Sequence, residues 1–158
     1  MAASLAALRA DSIDFPLFLH VLGATLLVGS LVLILATLVV AWRGGVDRNG
    51  ALVRFAFRSL LFAAIPSWVL ARVAGQWTAS REGYDGDDDP AWLGVGFLTM
   101  EPGLVLLLIA TILTGLAARR GRAESSRSST LARVATVLTG VLLAAYLVAV
   151  WAMTTKPD

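Results

Sequence analysis

The chain is predicted to be an all-α integral membrane protein, a bundle of four transmembrane helices with both termini on the extracytoplasmic side. Three observations carry this. Of 158 residues, 58% are hydrophobic and 15% charged, against about 25% charged in soluble domains. Four apolar runs, near 15–42, 55–77, 92–118 and 131–153, each reach the roughly 20 residues that cross a bilayer as a helix. Arginine is concentrated in the first and third connections between these runs and almost missing from the second. Lipid offers the backbone no hydrogen-bond partner, so runs of this length must be helices; barrel strands would be about ten residues long and alternating. Little is left over for a soluble domain, so residues 1–158 are read as one transmembrane domain.

The first run exceeds the roughly 7–15 apolar residues of a secretory signal, and Asp11 and Asp14 precede it, so it is expected to be retained. Its small and polar residues, His20, Gly23, Ser30 and Thr37, share a three-then-four spacing with Leu27 and Ile34, and membrane helices pack through such seams. The second run contains "IPSWVLARVAGQW". Pro66 removes a backbone hydrogen bond and predicts a kink. A small wet pocket is expected beside it, with Pro66, Ser67 and Trp68 at its floor and Gln76 and Trp77 at its rim.

The third run, "GFLTMEPGLVLLLIATILTG", holds Glu101 and Pro102. A carboxylate in hydrocarbon costs several kcal/mol, roughly, and marks a functional candidate. Two readings stand open: an intramembrane acid, or the N-cap of a span that begins at Pro102. A seam of Glu101, Leu104, Leu108, Thr111 and Gly115 would turn Glu101 toward the interior. The fourth run adds Thr136, Thr139, Gly140 and Tyr146.

The connections give the orientation. Arg43, Arg48, Arg54 and Arg58 flank the first, and Arg119, Arg120, Arg122, Arg127 and Arg133 the third, against Arg81 alone in the second. Positive loops stay in the cytoplasm. The second connection and both termini are then outside, with Trp77, Trp92 and Trp151 at the outer interface and Trp42 at the inner one. The acidic "YDGDDDP" lacks calcium-loop spacing and reads as a solvated turn. "RRGRAESSRSS" is read as a flexible basic loop lying on anionic lipid.

Counting inward from the outer ends at about 1.5 Å per residue, His20 and Arg72 lie about one turn deep, Tyr146 about two, and Glu101 at a similar level. With Gln76 they form the candidate outer polar cluster, in which Arg72 and Glu101 are expected to pair and His20 to join them. There is no cysteine, so disulfides, thiolate metal sites and thiol catalysis are excluded. No phosphate loop, dinucleotide fingerprint, nucleophile elbow or zinc motif occurs. The pI near 9.7 comes from loop arginines and is not a nucleic-acid signal. The preference for Arg over Lys fits a GC-rich genome.

"FLHVLGATLLVGSLVL", with glycine three and nine residues after the histidine, resembles the opening helix of the copper-resistance-D-like group of small bacterial membrane proteins. That resemblance implies metal or haem handling at His20 alone. The chain has one His, no Cys, and only Met1, Met100 and Met153 as thioethers, whereas a copper site draws on several soft or imidazole ligands. The function expected is a non-enzymatic accessory or small-solute-binding bundle in the bacterial cytoplasmic membrane. Its partner is the bilayer, with a homo-oligomer or larger membrane complex open to it, and not nucleic acid. The alternative is a haem-binding redox protein with His20 as axial ligand and Arg72 on a propionate.

Overall fold

The computed structural model describes residues 11–43, 46–84, 91–120 and 125–155. These form α1 (Asp11–Arg43), α2 (Val46–Ser59), a π turn (Leu60–Ala64), α3 (Ile65–Glu82), α4 (Ala91–Arg120) and α5 (Ser125–Thr155), with no strand among the described residues. Four stretches are long and apolar enough to cross a membrane: Ile13–Arg43, Gly50–Glu82, Gly94–Arg119 and Thr130–Thr155. They run past the hydropathy limits at nearly every end, because helical hydrogen bonding continues into the polar flanks where apolar composition stops. The acidic segment 85–90 and residues 121–124 of the basic loop lie outside the described residues, as do the side chains of Trp92 and Arg127.

Buried Leu27, Leu31, Ile34 and Leu38 form the spine of α1, at the three-and-four spacing of one helical face. They pack on Ala56, Leu60, Ala64 and Trp68, with Leu107 from α4 and Ala135, Leu142 and Tyr146 from α5. Leu26, Val32, Leu33 and Val40 point outward on the opposite side of α1, and every other span has a similar exposed apolar face. Such a surface is suited to lipid. The hydroxyls of Thr37, Thr111, Thr114, Thr136 and Thr139 donate to carbonyls one turn back in their own helices. Buried threonines thus satisfy themselves locally and contribute small volume rather than bonds between helices.

The second span is interrupted where Pro66 predicts it, by a π turn. Pro66 has no N–H, and its ring would collide with the carbonyl four residues earlier. The wider π turn, closed by the Ile65 N–H on the Leu60 carbonyl, absorbs that misfit. Before the turn, α2 packs against both α1 and α4; after it, α3 stays on α1 and scarcely touches α4. The end of the bundle that carries Asp11 and Thr155, here the termini end, is therefore opened between α3 and α4. α3 closes at Gly83, which takes the left-handed conformation at φ 82°, and the Tyr84 N–H returns to the Ala79 carbonyl at 3.0 Å.

Two expectations are corrected by α4. The helix is continuous from Ala91 to Arg120 through Pro102, so Glu101 is not an N-cap. Nor does Glu101 face the interior: Glu101 and Leu108 are exposed, while Gly103, Leu107, Ala110 and Thr114 form the buried stripe. Gly103 sets this rotation, since a Cβ there would collide with the Tyr146 hydroxyl.

Candidate functional site

His20 is placed by two glycines. At Gly23 a Cβ would lie 2.6 Å from the Ala71 nitrogen, so the bare backbone lets α1 and α3 approach closely. At Gly75 a Cβ would lie 2.7 Å from His20 Nδ1, so its absence makes room for the imidazole. The Nδ1–H then donates to the Ala71 carbonyl at 2.8 Å. A carbonyl only accepts, so Nδ1 carries the proton of this bond, and in the neutral imidazole Nε2 is then the nitrogen without one.

Arg72 reaches from α3 to α4. Its Nε and Nη2 donate to Glu101 Oε1 at 3.2 and 3.1 Å, and Nη1 donates to Gln76 Oε1 at 2.9 Å. The expected pair is present, on the flank of the bundle: the side chains are 26% and 64% exposed. His20 does not join it. The backbone of Ala71 takes the imidazole instead, one residue short of Arg72.

Between α1, α3, α4 and α5 at the termini end lies a cavity of about 590 Å³. Leu17, Val21 and Ala24 form its wall on α1, Met100 on α4, and Leu147, Val150 and Met153 on α5, with His20, Arg72, Gln76 and Glu82 among its polar residues. This is not the small wet pocket expected beside Pro66: of the residues assigned to that pocket, only Gln76 lines the cavity. Pro66 faces outward and Ser67 and Trp68 are buried away from the opening; the Trp68 indole donates to the Met100 carbonyl at 3.3 Å. Trp77 stands off the rim, its ring edge-on to Phe15 at 6.4 Å.

A second space of about 30 Å³ adjoins the cavity, bordered by His20, Ala24, Thr99, Met100 and Tyr146. Tyr146 is 3% exposed, and its hydroxyl has no hydrogen-bond partner among the described residues. So His20, Arg72 and Gln76 share the main cavity, His20 and Tyr146 both border the smaller space, and Glu101 is attached through Arg72. Sequence reasoning missed Gly75, Gly96, Met100 and Met153. Gly96 is needed because a side chain there would strike the Met153 methyl. A glycine three residues after Arg72 and another five before Glu101 were the available signals.

For haem, the donor set is half suitable. A histidine with Nδ1–H on a backbone carbonyl and Nε2 bare is how ligating histidines are held. Arg72, expected for a propionate, is already paired with the Glu101 carboxylate and bonded to Gln76, and no other Lys or Arg lines the cavity among the described residues. The residues fit one axial ligand and no propionate clamp. Fold and site define a class: a four-helix bundle with membrane-length spans and a side-opening apolar cavity at one end. In comparison with known proteins, the sequence matches no family model, no curated protein and no solved structure.

Proposed function

We propose that this is a non-enzymatic membrane component that holds an apolar small molecule in the cavity at the termini end, and that this end faces the extracytoplasmic side of a bacterial cytoplasmic membrane. The supporting observation is the cavity of about 590 Å³, apolar over most of its wall and furnished with a few polar groups at fixed positions. Ligand sites are commonly about 300–1,000 Å³ and built this way. Two methionines in the wall give it thioethers that adapt to a ligand's shape. The orientation rests on nine arginines around the first and third connections against Arg81 in the second. Kinship with the copper-resistance-D-like group is proposed on residues 18–33 alone. As an accessory subunit or homo-oligomer, the bundle would present its outward apolar faces to neighbouring helices as well as to lipid.

The test is a titration of an environment-sensitive apolar fluorophore into the detergent-solubilised protein, beside Ala24→Phe. Ala24 borders both spaces, and a phenyl group there fills them. Saturable enhancement in the wild type, lost in Ala24→Phe, is the expected result. Equal enhancement in both would place the dye on the outer apolar surface and remove the reading.

A further inference from the structure

We infer that the ligand of this cavity is a lipophilic cation, an apolar body with one ammonium-type head, held with the head beside Glu82 at the mouth and the body between the helices. The inference rests on the cavity being a ligand site and adds the charge of what it takes.

Ala71, Gly75, Thr78 and Glu82 recur at the three-and-four spacing of one face of α3, and all four line the cavity. The polar groups deeper on this face are already satisfied. The Ala71 carbonyl accepts from His20 at 2.8 Å, and the Thr78 hydroxyl donates to the Ala74 carbonyl at 2.8 Å. Ala71 and Thr78 are buried, whereas Glu82, the last residue of α3, is exposed. The inward face of α3 therefore ends in a carboxylate at the mouth. Arg72 and Glu82 are the charged side chains among the described lining residues. Arg72 is neutralised by Glu101 at 3.1 Å, while Glu82 has no ion pair among the described residues. The wall is left with one net negative charge.

The helix ends add to it. α3 and α5 reach the cavity through their last turns, at Glu82 and Thr154, whereas on α1 and α4 the lining begins at Leu17 and Gly96, more than a full turn past Asp11 and Ala91. The mouth thus meets two helix C-termini, whose partial negative charge favours a cation. Arg81, the basic residue in the last turn of α3, is not among the lining residues. Deeper in, Val21, Val28, Leu147 and Val150, with the thioethers of Met100 and Met153, receive an alkyl or aryl body by apolar contact. An anionic head would face Glu82 and both helix ends, with Arg72 already held by Glu101 and Gln76.

The experiment is displacement of the bound fluorophore by dodecyltrimethylammonium, dodecan-1-ol and dodecanoate, on protein in phosphatidylcholine nanodiscs, each competitor corrected for its uptake by protein-free nanodiscs. The ammonium is expected to bind roughly two- to fivefold more tightly than the alcohol, the scale of one exposed ion pair, and dodecanoate more weakly than the alcohol. Glu82→Gln keeps the size of an exposed side chain, so the fold should hold, and it should bring the ammonium level with the alcohol. Glu101→Gln leaves Arg72 an acceptor but removes the charge that neutralises it, and the ammonium's advantage should again fall. An ammonium no better than the alcohol, dodecanoate as the best competitor, or an advantage that either variant leaves unmoved would each overturn the inference while leaving the cavity a ligand site. Failure of all three competitors to displace the dye would remove both.

Discussion

Gly23→Ala should be the most damaging single-methyl change in α1. The added Cβ would stand 2.6 Å from the Ala71 nitrogen and 2.9 Å from its Cα, both backbone atoms that no rotamer change can move. α1 and α3 must separate by several tenths of an ångström over a contact that also carries the His20–Ala71 hydrogen bond. Overpacking costs about 1–3 kcal/mol, the weakened hydrogen bond about 1 kcal/mol, and the helix regains about 1 kcal/mol from replacing glycine with alanine. The net loss is about 2 kcal/mol. Gly29→Ala is the matched control, since nothing lies within 4 Å of its added Cβ; it should be neutral or stabilising by up to about 1 kcal/mol. Unfolding in mixed micelles with increasing SDS, followed by circular dichroism, measures both. Equal effects at the two positions would refute the close α1–α3 approach that positions His20.

Further outcomes follow from the same geometry. Arg72→Ala and Glu101→Ala should each lower stability slightly, and the double variant by less than their sum, with a coupling of about 0.5–1 kcal/mol for so exposed a pair; strict additivity would mean that the bridge contributes nothing. Gly103→Ala should destabilise by pressing on the Tyr146 hydroxyl, and in a Tyr146→Phe background the loss should shrink, as thermal midpoints in detergent would show. Single cysteines at Ser4, Ser80 and Ser126, in a chain with none of its own, should label from outside intact cells at 4 and 80 only, and external labelling at 126 would reverse the topology.

The four long helices were legible because unbroken apolar runs of membrane length form helices, and Glu101 could be matched to Arg72 because the connection from α3 to α4 makes them neighbours at one level of the bundle. What sequence could not supply is rotation about the helix axis. A charged residue was expected to turn inward, but α4 is oriented by Gly103 against Tyr146, and Glu101 is left on the flank, where Arg72 meets it. His20 found a backbone carbonyl, a partner with no residue type to read. The π turn was foreshadowed by Pro66, yet its consequence, the divergence of α3 from α4 that opens the cavity, depends on packing along both helices. The small residues that matter most, Gly75 and Gly96, matter through what sits above them.

Occupancy of the cavity is tested most directly by native mass spectrometry of the protein released from gently solubilised membranes, wild type beside Ala24→Phe. The wild type should carry a discrete adduct of small-molecule mass that survives detergent removal, and Ala24→Phe should lose that adduct while showing the same bound phospholipid. A wild type that carries only phospholipid, in the same amount as Ala24→Phe, would contradict the assignment of the cavity as a binding site.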